Sequence, residues 1–123
     1  MKDVKILVVD DNQAFCDGME RVFRARGYTR IFSAHNASQA LEAVQRDHPD
    51  VIFLDLYLPG IDGLHLLTAI RKINKNIRTI MLTCESSAEC EEAAVNLGAL
   101  DYWVKPFEIS TLCASLEERL TRE

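Results

Sequence analysis

The chain has 123 residues, 48% hydrophobic and 27% charged, enough for one soluble globular domain with a real core and too few for two ordinary ones. Nineteen acidic against fourteen basic side chains leave a formal charge of −5, which argues against a nucleic-acid backbone as a direct partner. No apolar run approaches the roughly 18 residues of a membrane span, and Met1-Lys2-Asp3 leads into a strand pattern without a signal peptide.

In chain order, Val4–Val9 (VKILVV) is a β-branched-rich run that stops at Asp10-Asp11. Gln13 to Arg26 then puts Phe15, Met19, Val22 and Phe23 on one helical face, with Gly27 as a natural stop. Ile31-Phe32-Ser33 is the weakest strand pattern. Asn36 with Gln39 resembles a capping box for a helix reaching about His48, where Pro49 ends it. Val51–Leu54 is again a strand run, broken by Asp55. Gly63 to Asn74 carries Leu64, Leu67, Ile70 and Ile73 at helical spacing. Ile77–Leu82 (IRTIML) is a strand that stops at Thr83. Ser86 with Glu89 predicts the start of a fourth helix ending at Leu97-Gly98; it is the least apolar, so its anchorage should be the loosest. Tyr102-Trp103-Val104 is a short strand stopping at Lys105-Pro106. Glu108 to about Thr121 places Ile109, Leu112, Cys113, Leu116 and Leu120 in one stripe.

Strand and helix thus alternate five times. Runs this apolar suit strands buried on both faces, so the pattern predicts an α/β fold: a doubly wound, five-stranded parallel sheet of flavodoxin-like order 2-1-3-4-5 with five helices. No linker or repeat interrupts it, and residues 1–123 read as one domain. The four cysteines, Cys16, Cys84, Cys90 and Cys113, form no metal pattern and read as buried or half-buried thiols of a reducing cytoplasm.

The strand runs break at their C-terminal ends on Asp10-Asp11, Asp55, Thr83 and Lys105. In a parallel sheet those ends share one edge, and ligands bind there at the switch point between strands one and three. A carboxylate within the run around Asp55 must be paired, hydrated or bound to a cation. Three carboxylates repel, and oxygen-only donors favour Mg²⁺. Lys105 and Thr83 suit an anion's oxygens, and a carboxylate beside Mg²⁺ and lysine can attack phosphorus to give an aspartyl phosphate. Taken alone, Asp10-Asp11 is a turn or cap and Thr83 a strand end; only the alignment with Asp55 and Lys105 turns the reading.

The segments VVDDN (8–12), FLDLYLPGIDG (53–63), MLT (81–83) and LGALDYWVKPF (97–107) resemble the receiver domain of bacterial two-component response regulators, of the chemotaxis-regulator type, over nearly the whole chain. The resemblance implies that Asp55 takes a phosphoryl group from a histidine kinase or phosphotransfer protein. Asp11, Asp55 and the Tyr57 carbonyl would ligate Mg²⁺, or Mn²⁺ in its place, with Asp10 acting mainly through water. Thr83 and Lys105 would contact the phosphoryl oxygens, and Tyr102 would be the aromatic that reports the state of Thr83. Lys105-Pro106 would be cis. The output would be a change of the face built from the fourth helix, fifth strand and fifth helix, with a homodimer there as an option. Such a domain is not an enzyme beyond catalysing its own phosphorylation and dephosphorylation.

Two positions depart from the common pattern. Tyr57 is bulkier than usual, and Cys84 replaces a small residue; both should border the pocket. Asp62 reads as a cap, Trp103 as packing, His35, His48 and His65 as surface, and Glu117-Glu118 as a solvated face. The alternative is a Mg²⁺-dependent phosphohydrolase of the haloacid dehalogenase type. Its DxD after the first strand and late acidic pair are missing here. An FMN binder would need a phosphate loop where Asp10-Asp11 would repel the ligand. With nothing after Glu123, the chain reads as a stand-alone receiver or the front piece of a longer regulator.

Overall fold

The computed structural model describes residues 2–122, without the Arg122 side chain; Met1 and Glu123, the ends of the expected 1–123 domain, lie outside the described residues. The order is β1 (Ile6–Val9), α1 (Gln13–Ala25), β2 (Ile31–Ala34), α2 (Ala37–Asp47), β3 (Val51–Leu54), β4 (Tyr57–Leu58), β5 (Ile61–Asp62), α3 (Gly63–Ile73), β6 (Arg78–Thr83), α4 (Ala88–Asn96), β7 (Asp101–Val104) and α5 (Ile109–Arg122). Five strands form one parallel sheet, β2-β1-β3-β6-β7. Counted without the small β4-β5 hairpin, this is the flavodoxin-like order 2-1-3-4-5.

The strands are apolar on both faces because both are covered. Ile6, Val8, Val51, Phe53, Ile80 and Leu82 point into one cluster with Cys16, Met19 and Phe23 of α1 and Leu112, Cys113 and Leu116 of α5. Leu7, Val9, Ile52, Leu54 and Met81 point the other way, onto α2, α3 and α4. Each fully buried leucine, isoleucine or phenylalanine contributes about 1.5–3 kcal/mol of transfer free energy. The helices are fixed by local signals. Asn36 caps α2 by accepting the Gln39 N–H, while the Gln39 side chain accepts the N–H of His35, one residue before the cap. Asp62 caps α3 through the Leu64 N–H, as expected of a loop residue.

Several boundaries differ from expectation. The sheet ladder begins at Ile6 rather than Val4, and β6 runs through Thr83. The cap of α4 is Ser87, which takes the N–H groups of Glu89 and Cys90; Ser86 stands outside. Cys84 is exposed, not half-buried. Glu117 is half-buried and engaged rather than freely solvated: it accepts from Lys2 at 2.5 Å, Arg26 at 3.2 Å and the Tyr28 hydroxyl at 3.3 Å. Trp103 packs on Phe107 as expected and donates to Asp101. No helix among the described residues is long and apolar enough to cross a membrane.

Candidate functional site

The sheet ladder carries each polar strand end into one place. The Asp10 N–H donates to Ala34 O, the Asp55 N–H to Val9 O, and the Lys105 N–H to Thr83 O, at 3.0, 3.0 and 2.8 Å. Their side chains therefore meet at the C-terminal edge, over the β1–β3 switch point. Carboxylate oxygens of Asp10, Asp11 and Asp55 lie within 4.8 Å of one another.

The three carboxylates differ. Asp10 is 2% exposed and fully engaged: one oxygen accepts the Asn12 N–H at 2.9 Å and the other pairs with the Lys105 ammonium. Asp55, 9% exposed, accepts the Tyr57 N–H at 3.2 Å and reaches Lys105 only at 3.5 Å. Burial pushes the Asp55 carboxyl above its ordinary range, and neighbouring Asp10 adds to this, against the pull of Lys105 and the Tyr57 N–H. Burial alone would depress Lys105, but its hydrogen bond to Asp10 and the charges of Asp10 and Asp55 hold the ammonium's pKa up. Asp11 is exposed. Three carboxylates against one ammonium leave a surplus of negative charge, all on hard oxygens. That donor set fits a divalent cation of the Mg²⁺ type.

Two glycines shape the loop after Asp55. Tyr57 pairs with Asp62 and Leu58 with Ile61 in the β4-β5 hairpin, whose turn places Gly60 at φ 79 after Pro59. Gly63 donates to Leu56 O at 2.6 Å, and a Cβ there would stand 2.5 Å from the Asp55 carbonyl and 2.6 Å from Leu56 Cα. Only glycine lets α3 begin against the backbone of the acceptor loop, which is the physical content of the Leu-Pro-Gly-x-Asp-Gly pattern.

On the far side, Thr83 is buried and its hydroxyl accepts the Glu85 N–H at 3.3 Å. Tyr102, half-buried, donates to the Glu85 carbonyl at 2.7 Å. Tyr57 is 57% exposed, yet its hydroxyl donates to the Glu85 carboxylate at 2.6 Å. The other carboxylate oxygen accepts the Ser87 N–H at 3.2 Å. Glu85 thus joins Thr83, Tyr102 and Tyr57, and sequence reasoning missed it, because a glutamate in a polar loop carries no signal of its own. The phenols respond: the hydrogen bond to Glu85 pushes Tyr57 up to about 12, and burial with surrounding negative charge pushes Tyr102 up to about 12.

His35 corrects another expectation. It is half-buried, with Nδ1 3.1 Å from the Asp10 carbonyl, because the end of β2 lies beside that of β1. His48 and His65 are exposed, as expected. Lys105-Pro106 is cis.

Comparison with known proteins agrees with this geometry. The response regulator receiver domain family matches residues 6–117. Sporulation initiation phosphotransferase F of Bacillus subtilis (strain 168) is 35% identical over 120 residues, covering 98% of this chain and 96% of that protein. The response regulator MprA of Mycobacterium ulcerans (strain Agy99) is 35% identical over 119 residues, which are 97% of this chain and 51% of MprA. The chain therefore spans about half the length of that relative. Among solved structures, a response regulator of Burkholderia pseudomallei, with a phosphorylated aspartic acid, calcium ion and citrate, superposes with a TM-score of 0.84 at 29% identity, covering 98% of this chain and 76% of that one. None of these matches supports the phosphohydrolase alternative.

Proposed function

Given that the chain belongs to the response regulator receiver domain family, we propose that it works by accepting a phosphoryl group on Asp55 in a Mg²⁺-dependent reaction. The observation that carries the reading is the convergence of Asp10, Asp11, Asp55 and Lys105 on one sheet edge, with Asp55 the buried carboxylate least compensated by the protein. The whole of residues 1–123 acts as the receiver, and its role is signalling.

Asp11, Asp55 and the Tyr57 carbonyl would hold the cation, and Asp10, whose own oxygens are taken by Asn12 and Lys105, would act mainly through water. Mg²⁺, or Mn²⁺ in its place, supplies charge neutralisation for the carboxylates and for the transferring oxygens. An Asp55 oxygen forms the new bond to phosphorus as the bond from phosphorus to the donor's imidazole nitrogen breaks. The released imidazole keeps the bonding pair and takes a proton. Lys105 and Thr83 contact the phosphoryl oxygens. To do so, the Thr83 hydroxyl turns from the Glu85 N–H, which frees Tyr102 to move and changes the α4-β7-α5 face. The donor is a histidine kinase or phosphotransfer protein. A homodimer through the changed face is one output, and no direct nucleic-acid contact is needed. Four free cysteines among the described residues are compatible with a reducing cytoplasm.

Acetyl phosphate with Mg²⁺ should add one phosphoryl group, labile to hydroxylamine and base, and Asp55→Asn should abolish it. Undiminished labelling of Asp55→Asn would overturn the assignment. Mg²⁺ titration should weaken more for Asp11→Ala than for Asp10→Ala; equal titrations of wild type and Asp11→Ala would remove Asp11 as a direct ligand.

A further inference from the structure

We propose that Phe15 is a positioning residue for Lys105, holding its ammonium at the acceptor site while the carboxylates around it change partners. The proposal rests on the assignment of Lys105 to the phosphoryl oxygens. The Lys105 Nζ lies 4.1 Å from the centroid of the Phe15 ring, over its face. That is well inside the roughly 6 Å reach of a cation–π contact. The Lys105 side chain is only 16% exposed, so the contact is poorly screened by water.

The ring is held from behind. Phe15 sits in the first turn of α1, where its N–H donates to the Asn12 cap at 3.1 Å. It meets Phe107 edge-on at 6.2 Å and 86°, and Phe107 in turn meets Trp103 at 5.5 Å. The platform for the ammonium therefore belongs to the packing of α1 against β7 and the segment that leads from β7 into α5.

The need for it follows from the carboxylates. In the structure the ammonium is pulled chiefly by Asp10 and less by Asp55. A divalent cation on the acidic cluster competes for that negative charge, and phosphorylation of Asp55 replaces its carboxylate with a phosphoryl group whose oxygens stand elsewhere, so the ammonium must change partners. Beside Lys105 a cleft of about 240 Å³, lined by Phe15, Pro106, Phe107 and Ile109, gives the side chain room to swing away. The negative face of the Phe15 ring does not change through these events, so it attracts the ammonium constantly when the carboxylates do not.

Stepwise fluorination of the residue 15 ring tests this, because it drains charge from the face with little change of shape. At saturating Mg²⁺ the rate of phosphorylation by acetyl phosphate should fall step by step, to about three- to tenfold slower at full fluorination. Mg²⁺ affinity should stay unchanged. Phe15→Leu should show a similar loss and Phe15→Tyr should restore the rate. A flat fluorination series, with Lys105→Met still slow, overturns the role of Phe15 alone. Unimpaired phosphorylation of Lys105→Met overturns the assignment of Lys105 and this inference with it.

Discussion

Asp10 and Asp55 share a site and a lysine, but removing their charges should have opposite effects. The folded state holds the Asp55 pKa above the ordinary value, so the stability linked to its proton is present at acid pH and lost as pH rises through the raised pKa. At neutral pH its charge therefore opposes folding, and Asp55→Asn should raise the urea midpoint in chelator. Asp10 is instead the buried partner of Lys105, and Asp10→Asn should lower the midpoint by taking from that ammonium its closer carboxylate and leaving only Asp55 at 3.5 Å. Equal midpoint shifts for the two variants would contradict the division of labour. A second pair of variants concerns lifetime. The Tyr57 ring is exposed but tied by its hydroxyl to Glu85, and Cys84 lies one residue from Thr83. Tyr57→Ala and Cys84→Ala should change phosphoryl decay by roughly tenfold or less, about 1.4 kcal/mol of barrier, with faster decay favoured. Unchanged half-lives would show that neither side chain restrains the attacking water. Asp55 was legible in the sequence because a carboxylate in an apolar run demands a reason. Glu85 and Phe15 were not, since one looks like loop and the other like core.

At the scale of elements, α4 is the piece built to give way. It buries only Ala94, and its start depends on the Ser87 cap and on the loop that Glu85 ties to Thr83 and Tyr102. A phosphoryl group that draws the Thr83 hydroxyl away shifts a population between two loop arrangements, limited by its differential affinity for them. Beryllofluoride with Mg²⁺ should therefore change amide exchange across Ser87–Leu97 and at Tyr102. Changes confined to the loop after Asp55 would count against this coupling. The strands and helices themselves could be read from apolar runs and caps, as could the weak anchorage of α4. The β4-β5 hairpin could not, because two-residue strands carry no periodicity. In sequence Ser86 has the better claim as cap, with Glu89 three residues on, yet the cap is Ser87. Ser87 is also the residue that Glu85 holds, through the Ser87 N–H.

Across the whole molecule, topology makes the site, and pairs distant in sequence tie the frame that carries it. Parallel strands bring Asp10 and Lys105 together although 95 positions separate them, a meeting that the strand order predicts. No pattern predicts that Lys2 will meet Glu117 across 115 positions, which is why the acidic pair on α5 read as solvated. Glu117 gathers Lys2, Arg26 and Tyr28, and so fastens the start of the chain and the end of α1 to α5. The Lys2 hydrogen bond, opposed by burial and aided by the charges of Lys2 and Arg26, holds the Glu117 carboxyl below its ordinary 4.5. A depressed carboxylate pKa contributes stability that is present above the unfolded value and lost as pH falls through the folded one. All three charged groups are partly in water, with the Glu117 side chain 26% exposed, so the contribution is discounted to about 0.5–1 kcal/mol. Glu117→Gln should therefore be less stable than wild type by that amount at pH 7, and the gap should close as pH is lowered from 4.5 through the folded pKa. Urea unfolding of both proteins at a series of pH values measures it. A gap that stays constant into acid would show that Glu117 acts through packing and not through its charge.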